Sequence, residues 1–157
     1  MASFAPETIL QIGFVPITNT LLHTFLVDAL LIGGTFYLNK KLTLIPTNFF
    51  QNAMESIIET FYNLTESVAS HAASKIFPYF MSFFLFILLA NWSSLIPGVG
   101  TISIREHGEL IPLLRGTTTD LNTTLGLALI SAVATHMLSI KTIGIKDYLS
   151  RYFSFNP

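Results

Sequence analysis

Three apolar stretches constrain this chain more than anything else in it. They run from Ile17 to Leu38, from Phe77 to Gly98 and from about Asp120 to Ile140. Each has about 21 residues, close to the ~20 that cross ~30 Å of hydrocarbon at 1.5 Å per residue. The second is the most uniform: between Phe80 and Ala90 only Ser82 is polar. The first is interrupted by His23 and Asp28. An acid at mid-helix costs roughly 2.5–3.5 kcal/mol on insertion scales, so Asp28 should face protein or water rather than lipid. Composition agrees, with 51% hydrophobic and only 11% charged residues in a chain of 157, against roughly 25% charged in a soluble domain. The expected fold class is an all-α membrane protein with three transmembrane helices and one amphipathic interfacial helix, forming a single unit over 1–157.

The amphipathic helix is expected over 47–72. Phe50, Ala53, Met54, Ile57, Ile58, Phe61, Leu64 and Val68 share one face at 100° per residue. Glu55, Glu59 and Glu66 lie among polar residues opposite. Asn48 with Gln51 reads as a capping box. So amphipathic a helix belongs in the interface plane. Its acidic polar face favours docking against protein over binding anionic lipid, with a soluble-type helix packed on a core as the alternative.

The spans are then 17–38, 77–98 and 118–140, with an exterior loop at 99–117 and a cytoplasmic tail at 141–157. Lys40, Lys41, Lys75, Lys141, Lys146 and Arg151 fall on one side of that arrangement and Arg105 and Arg115 on the other. The positive-inside rule makes the six-residue side cytoplasmic and the N-terminus exterior. The first residues lack the charged n-region of a signal peptide, so membrane entry is expected through the first span.

Much chemistry is excluded. A net charge of −1 gives no basic footprint for nucleic acid. Cysteine is absent, and no phosphate loop, zinc-protease motif or nucleophile elbow occurs. The histidines at 23, 71, 107 and 136 lie in four different elements, so no metal site is expected. No cofactor or catalytic residue is expected, and the chain by itself is not read as an enzyme. Asn63, Asn91 and Asn122 head glycosylation triplets whose positions, on the interfacial helix or within spans, make the match accidental.

The third span carries the most suggestive polar pattern. With Asp120 at zero, Thr124 lies at about 40°, Ser131 at about 20°, Thr135 at about 60° and His136 at about 160°. A broken hydroxyl stripe thus runs down one side, headed by a carboxylate. Two readings stay open. Asp120, with Asn122 beside it, stands at the mouth of a partly hydrated ion path, or Asp120 simply caps a helix whose hydroxyls bond their own backbone. Asp28 shares its face with Thr24, Thr35 and Asn39. That pattern suits a protein-facing seam, with Asp28 as a buried acid.

The run FPYFMSFFLFILLANWSSLIPG, then a polar loop, then PLLRGTTTDLNTTLGLALI and IKTIGIKDYL resembles subunit a of bacterial F-type ATP synthases. The match falls on Phe84 to Gly98 and on Thr118 to Leu125, with Asp120 and Asn122 in the key positions of the second motif. The resemblance implies a part in proton passage coupled to c-ring rotation and ATP synthesis. It implies the c-subunit ring and the peripheral-stalk b subunits as partners, and a bacterial plasma membrane as location. Asp120 and Asn122 would help protons reach an exterior half-channel, and the amphipathic helix would dock near the peripheral stalk. It also implies a helical hairpin bearing an essential arginine. Arg105, Arg115 and Arg151 match no such motif, so a truncated or split member is expected. The alternative is a non-transporting three-span scaffold or assembly protein.

Overall fold

The computed structural model describes residues 5–46, 48–106 and 109–153. Thr47 at the expected start of the amphipathic helix, His107 in the loop and the tail beyond 153 lie outside the described residues. Five helices and two small hairpins make up the described chain: β1 (Thr8–Ile12), β2 (Val15–Thr18), α1 (Asn19–Lys41), α2 (Phe49–Ala69), α3 (Ala73–Ser94), β3 (Ser103–Glu106), β4 (Glu109–Pro112), α4 (Leu121–Ile143) and α5 (Ile145–Ser150). Single 3₁₀ turns at Ser70–Ala72 and Thr117–Thr119 lead into α3 and α4. Among the described residues, three helical stretches are long and apolar enough to cross a membrane: α1, the stretch that ends in α3, and α4. The all-α membrane fold class expected from the sequence holds.

Few of these residues are covered by the chain itself. Val27, Ala73, Met81 and Ala90 are its buried apolar residues, while Phe25, Leu30, Phe36, Leu129, Ile130 and Val133 are exposed along the long helices. No residue of α4 is buried. In water such a surface would drive association. In hydrocarbon it is the stable arrangement, because each helix satisfies its own backbone and lipid covers the side chains.

Local chemistry sets the element ends. β1 and β2 pair antiparallel across Gly13–Phe14, where Gly13 takes φ +63°, as the first position of a tight hairpin turn requires. This hairpin brings the chain to Thr18, whose side chain accepts from the Leu21 N–H at 3.2 Å and starts α1. Asn19 then ties the hairpin to the helix and to the second hairpin. Its N–H donates to the Glu7 carbonyl at 3.0 Å, its Oδ1 accepts from Glu7 N at 3.2 Å, and its Nδ2 donates to the Pro112 carbonyl at 3.3 Å.

Asn48 does precede α2, but it makes no side-chain cap bond. The capping box read from Asn48 and Gln51 therefore does not form. Gln51 instead turns back to the α1–α2 connection, donating to the Thr43 carbonyl at 2.8 Å and to Glu55 at 2.7 Å. The connection carries its own unpaired backbone groups, and the buried amide satisfies them at the expense of the cap. After the turn at Ser70, α2 packs on α3 through rings. Phe61 lies 4.6 Å from Phe84 and 6.0 Å from Phe80, and Tyr62 meets Phe77 edge-on at 5.2 Å. Pro78 within α3 lacks the N–H that would bond the Ser74 carbonyl.

Candidate functional site: a buried polar junction and the cleft beside it

Three helix ends meet at one end of the molecule: the start of α1, the end of α3 and the turn that leads into α4. Asn19, Thr20, His23, Ser93, Thr117 and Asp120 are all buried there. They outnumber the buried apolar residues of the whole described chain, so the best-covered part of the molecule is polar.

His23 is the hub, with no exposed surface. Its Nδ1 accepts from the Thr117 N–H at 3.3 Å and lies 2.7 Å from the Thr117 hydroxyl. A backbone N–H can only donate, so Nδ1 is the acceptor and the ring proton belongs on Nε2. Nε2 lies 3.1 Å from Ser93 Oγ, which accepts it and passes its own proton to the Ala90 carbonyl at 3.2 Å. Thr24 Oγ1 donates to Thr117 Oγ1 at 3.2 Å and to the Thr20 carbonyl at 2.9 Å. One imidazole thus holds α1, α3 and the α4 approach in fixed register with its two nitrogens satisfied.

Asp120 sits one turn of chain further on and is 7% exposed. Its Oδ1 accepts from the Asn122 N–H at 2.9 Å, an N-cap bond on α4. Its Oδ2 accepts from the Thr20 hydroxyl at 3.1 Å. The carboxylate therefore caps α4 and also faces α1, so the capping reading of the sequence is realised. Arg115 flanks this end, donating to the Thr119 hydroxyl at 3.3 Å and to the Ala5 carbonyl at 2.8 Å.

Beside the junction a cleft of about 470 Å³ opens between α3 and α4. Asn91, Thr118, Thr124 and Ser131 supply its polar lining, and Phe83, Ile87, Leu127 and Ala128 its apolar walls. Asn91 Oδ1 accepts from the Thr118 hydroxyl at 2.9 Å, while its amide nitrogen donates to the Ile87 carbonyl at 2.8 Å. The space is wide enough for water, with Asn91, Thr118, Thr124 and Ser131 as the polar groups among mostly apolar walls.

A model of the ATP synthase A chain family matches residues 21–157. The chain belongs to that family. Relatives extend the match to the whole chain. ATP synthase subunit a of Moorella thermoacetica is 28% identical over 157 residues, all of this chain and 65% of the relative. ATP synthase subunit a 2 of Pelobacter propionicus is 30% identical over 96% of this chain and 59% of the relative. ATP synthase subunit a, sodium ion specific, of Propionigenium modestum is 29% identical over 98% of this chain and 53% of the relative. The chain thus spans between half and two thirds of the length of these relatives. With the apolar helices, family membership makes it a multi-pass membrane protein.

The residues singled out in the sequence separate in space. Thr124 and Ser131 line the cleft, and Asp120 stands at its head without lining it. Asn122 is exposed in the first turn of α4, and its N–H rather than its side chain meets Asp120. Thr135 bonds the Ser131 carbonyl and lines a different groove, beside Val68 and Ala72. His136 points elsewhere again, to the Tyr148 hydroxyl of α5. Asp28 is half-buried two turns below the junction on α1. Among the described residues, no group of three His, Asp or Glu side chains is placed to hold a metal ion.

Sequence reading missed His23, Thr20, Ser93, Thr117 and Asn91 as site residues. The signal for two of them was present. On a helical wheel, Asn19, Thr20, His23 and Val27 fall within about 100° of one another, the width of a buried stripe.

Proposed function

We propose that this chain is the part of an F-type ATP synthase subunit a that admits protons from the exterior and frames their approach to a rotating c ring. The buried, doubly hydrogen-bonded Asp120 at the head of a hydroxyl-lined cleft carries this reading. A carboxylate beside a cleft roomy enough for water can take up and release a proton. Water in the cleft can then carry it, with hydroxyl and amide groups as hydrogen-bond partners. In this reading protons arrive past Asn122, exchange at Asp120 and move along the cleft past Thr124, Asn91 and Ser131. His23 keeps the three helix ends together but need not exchange protons itself.

The exterior assignment rests on the split of cationic residues, with Arg105 and Arg115 at the Asp120 end and Lys40, Lys41, Lys75, Lys141, Lys146 and Arg151 at the other. In this reading the C-terminus lies in the cytoplasm. The same split sets α2, with its acidic face, where a peripheral-stalk b subunit would reach it. The membrane in this reading is a bacterial plasma membrane. Family membership supports the c ring and the stalk as partners, and the carried ion is the proton.

The test separates proton exchange from capping. Asparagine caps helices about as well as aspartate, but it does not titrate. In the full complex, Asp120→Asn should assemble normally and lower ATP-driven proton pumping by about a hundred-fold or more, as loss of a proton-transfer group does elsewhere. Normal pumping by Asp120→Asn would reduce Asp120 to a cap. Pumping that required Na⁺ would overturn the choice of ion.

A further inference from the structure

Asp28 is the one acid within the three spans that has no function in the proposed path. It lies nine residues into α1, ~14 Å from the Asn19 end and ~20 Å from the Lys41 end at 1.5 Å per residue. An aspartate side chain is too short to reach either membrane surface from there, unlike lysine or arginine. It is half-buried, and it makes no hydrogen bond or ion pair among the described residues. The nearest hydroxyl on its own face, Thr24, donates instead to Thr20 and Thr117.

The surroundings of Asp28 are also incomplete. The buried residues of α1 are Asn19, Thr20, His23 and Val27, so the helix is covered by the chain only above Asp28. Below it, a groove of about 340 Å³ opens between α1 and α3, with Ile32, Thr35, Asn39 and Ser82 in its lining. The two hydroxyls there are already satisfied. Thr35 donates to the Leu31 carbonyl and Ser82 to the Pro78 carbonyl, each at 2.7 Å. They present small, neutral surface to whatever fills the groove, as helix-packing faces in membranes do.

We infer that this face of α1 is a docking seam for another membrane-spanning helix, one that presents a basic side chain to Asp28. Charge complementarity fixes the chemistry. A lone carboxylate at this depth is costly, and intramembrane acids pair with cations or donors that face the protein. A second copy of this chain does not fit, since all its lysines and arginines lie at helix ends or outside the helices. Lipid does not fit either, since the headgroup cations of a bilayer stay ~15 Å away at its surface.

The test uses the chain in its native membrane complex, with a benzophenone-bearing phenylalanine analogue at Ile32, one turn below Asp28 and 59% exposed. Irradiation should give one discrete crosslink to a membrane-spanning helix outside residues 1–157, identified by mass spectrometry of the cross-linked peptides. Asp28→Leu should lower its yield at least about ten-fold, because the partner's cation is left unpaired in the membrane. Asp28→Glu should keep the adduct. Misfolding does not obscure the result, because leucine favours insertion where aspartate opposes it. Adducts with lipid alone, an adduct with a second copy, or an adduct unchanged by Asp28→Leu would each overturn the seam. None of these outcomes depends on proton flux.

Discussion

At the scale of residues, the weight of the structure rests on His23. A histidine inside an apolar run reads at first as a flaw in a spanning helix. Here it satisfies a backbone N–H from one element and a hydroxyl from another, and both of those groups are buried. Replacing it with leucine removes the acceptor and the donor while leaving their partners in place. A buried group left without its partner costs about 1–3 kcal/mol. His23→Leu should therefore lower the thermal unfolding midpoint of the detergent-solubilised protein by several degrees, and His23→Gln should recover part of the loss. Equal midpoints for wild type and His23→Leu would remove His23 from the hub. The junction was hidden in the sequence because its members are far apart in the chain. His23 and Thr117 are 94 positions apart, His23 and Ser93 70. Asp120 was legible because one local pattern, a carboxylate before an apolar run, marks it.

At the scale of elements, length and hydropathy were sufficient for the long helices, since a spanning helix is defined by its own residues and the bilayer. The small hairpins were not legible. TILQI with VPIT, and SIRE with ELIP, are too short for a period-two pattern to stand out. At the start of α2, which runs over Phe49–Ala69, the local bonds differ from the sequence reading. A capping box at Asn48 and Gln51 would make both residues matter to the helix start. With the bonds as found, Asn48→Ala should cost under about 0.5 kcal/mol, because no cap bond is lost. Gln51→Ala should cost about 1–2 kcal/mol, because the Thr43 carbonyl and Glu55 lose their buried partner. Denaturation of the two variants in detergent checks the order. The reverse order would restore the capping box.

At the scale of the whole molecule, the three spanning helices touch one another mainly at one end. The polar junction fastens them there, α2 buttresses α3 with phenylalanine rings, and α4 runs free of buried contacts along its length. Such a frame is fastened at the Asp120 end and open elsewhere. The central claim is that water reaches the helix layer from the exterior by way of the α3–α4 cleft. Because the chain has no cysteine, single cysteines can be placed at Asn122, Thr124, Ser131 and Val133 without background. A small membrane-impermeant thiol reagent is then applied to the outer face of right-side-out membranes, and modification at each position is measured. Asn122, Thr124 and Ser131 should react and Val133, which does not line that cleft, should not. Silence at Thr124 and Ser131, or their modification only from the cytoplasmic face, would contradict the account.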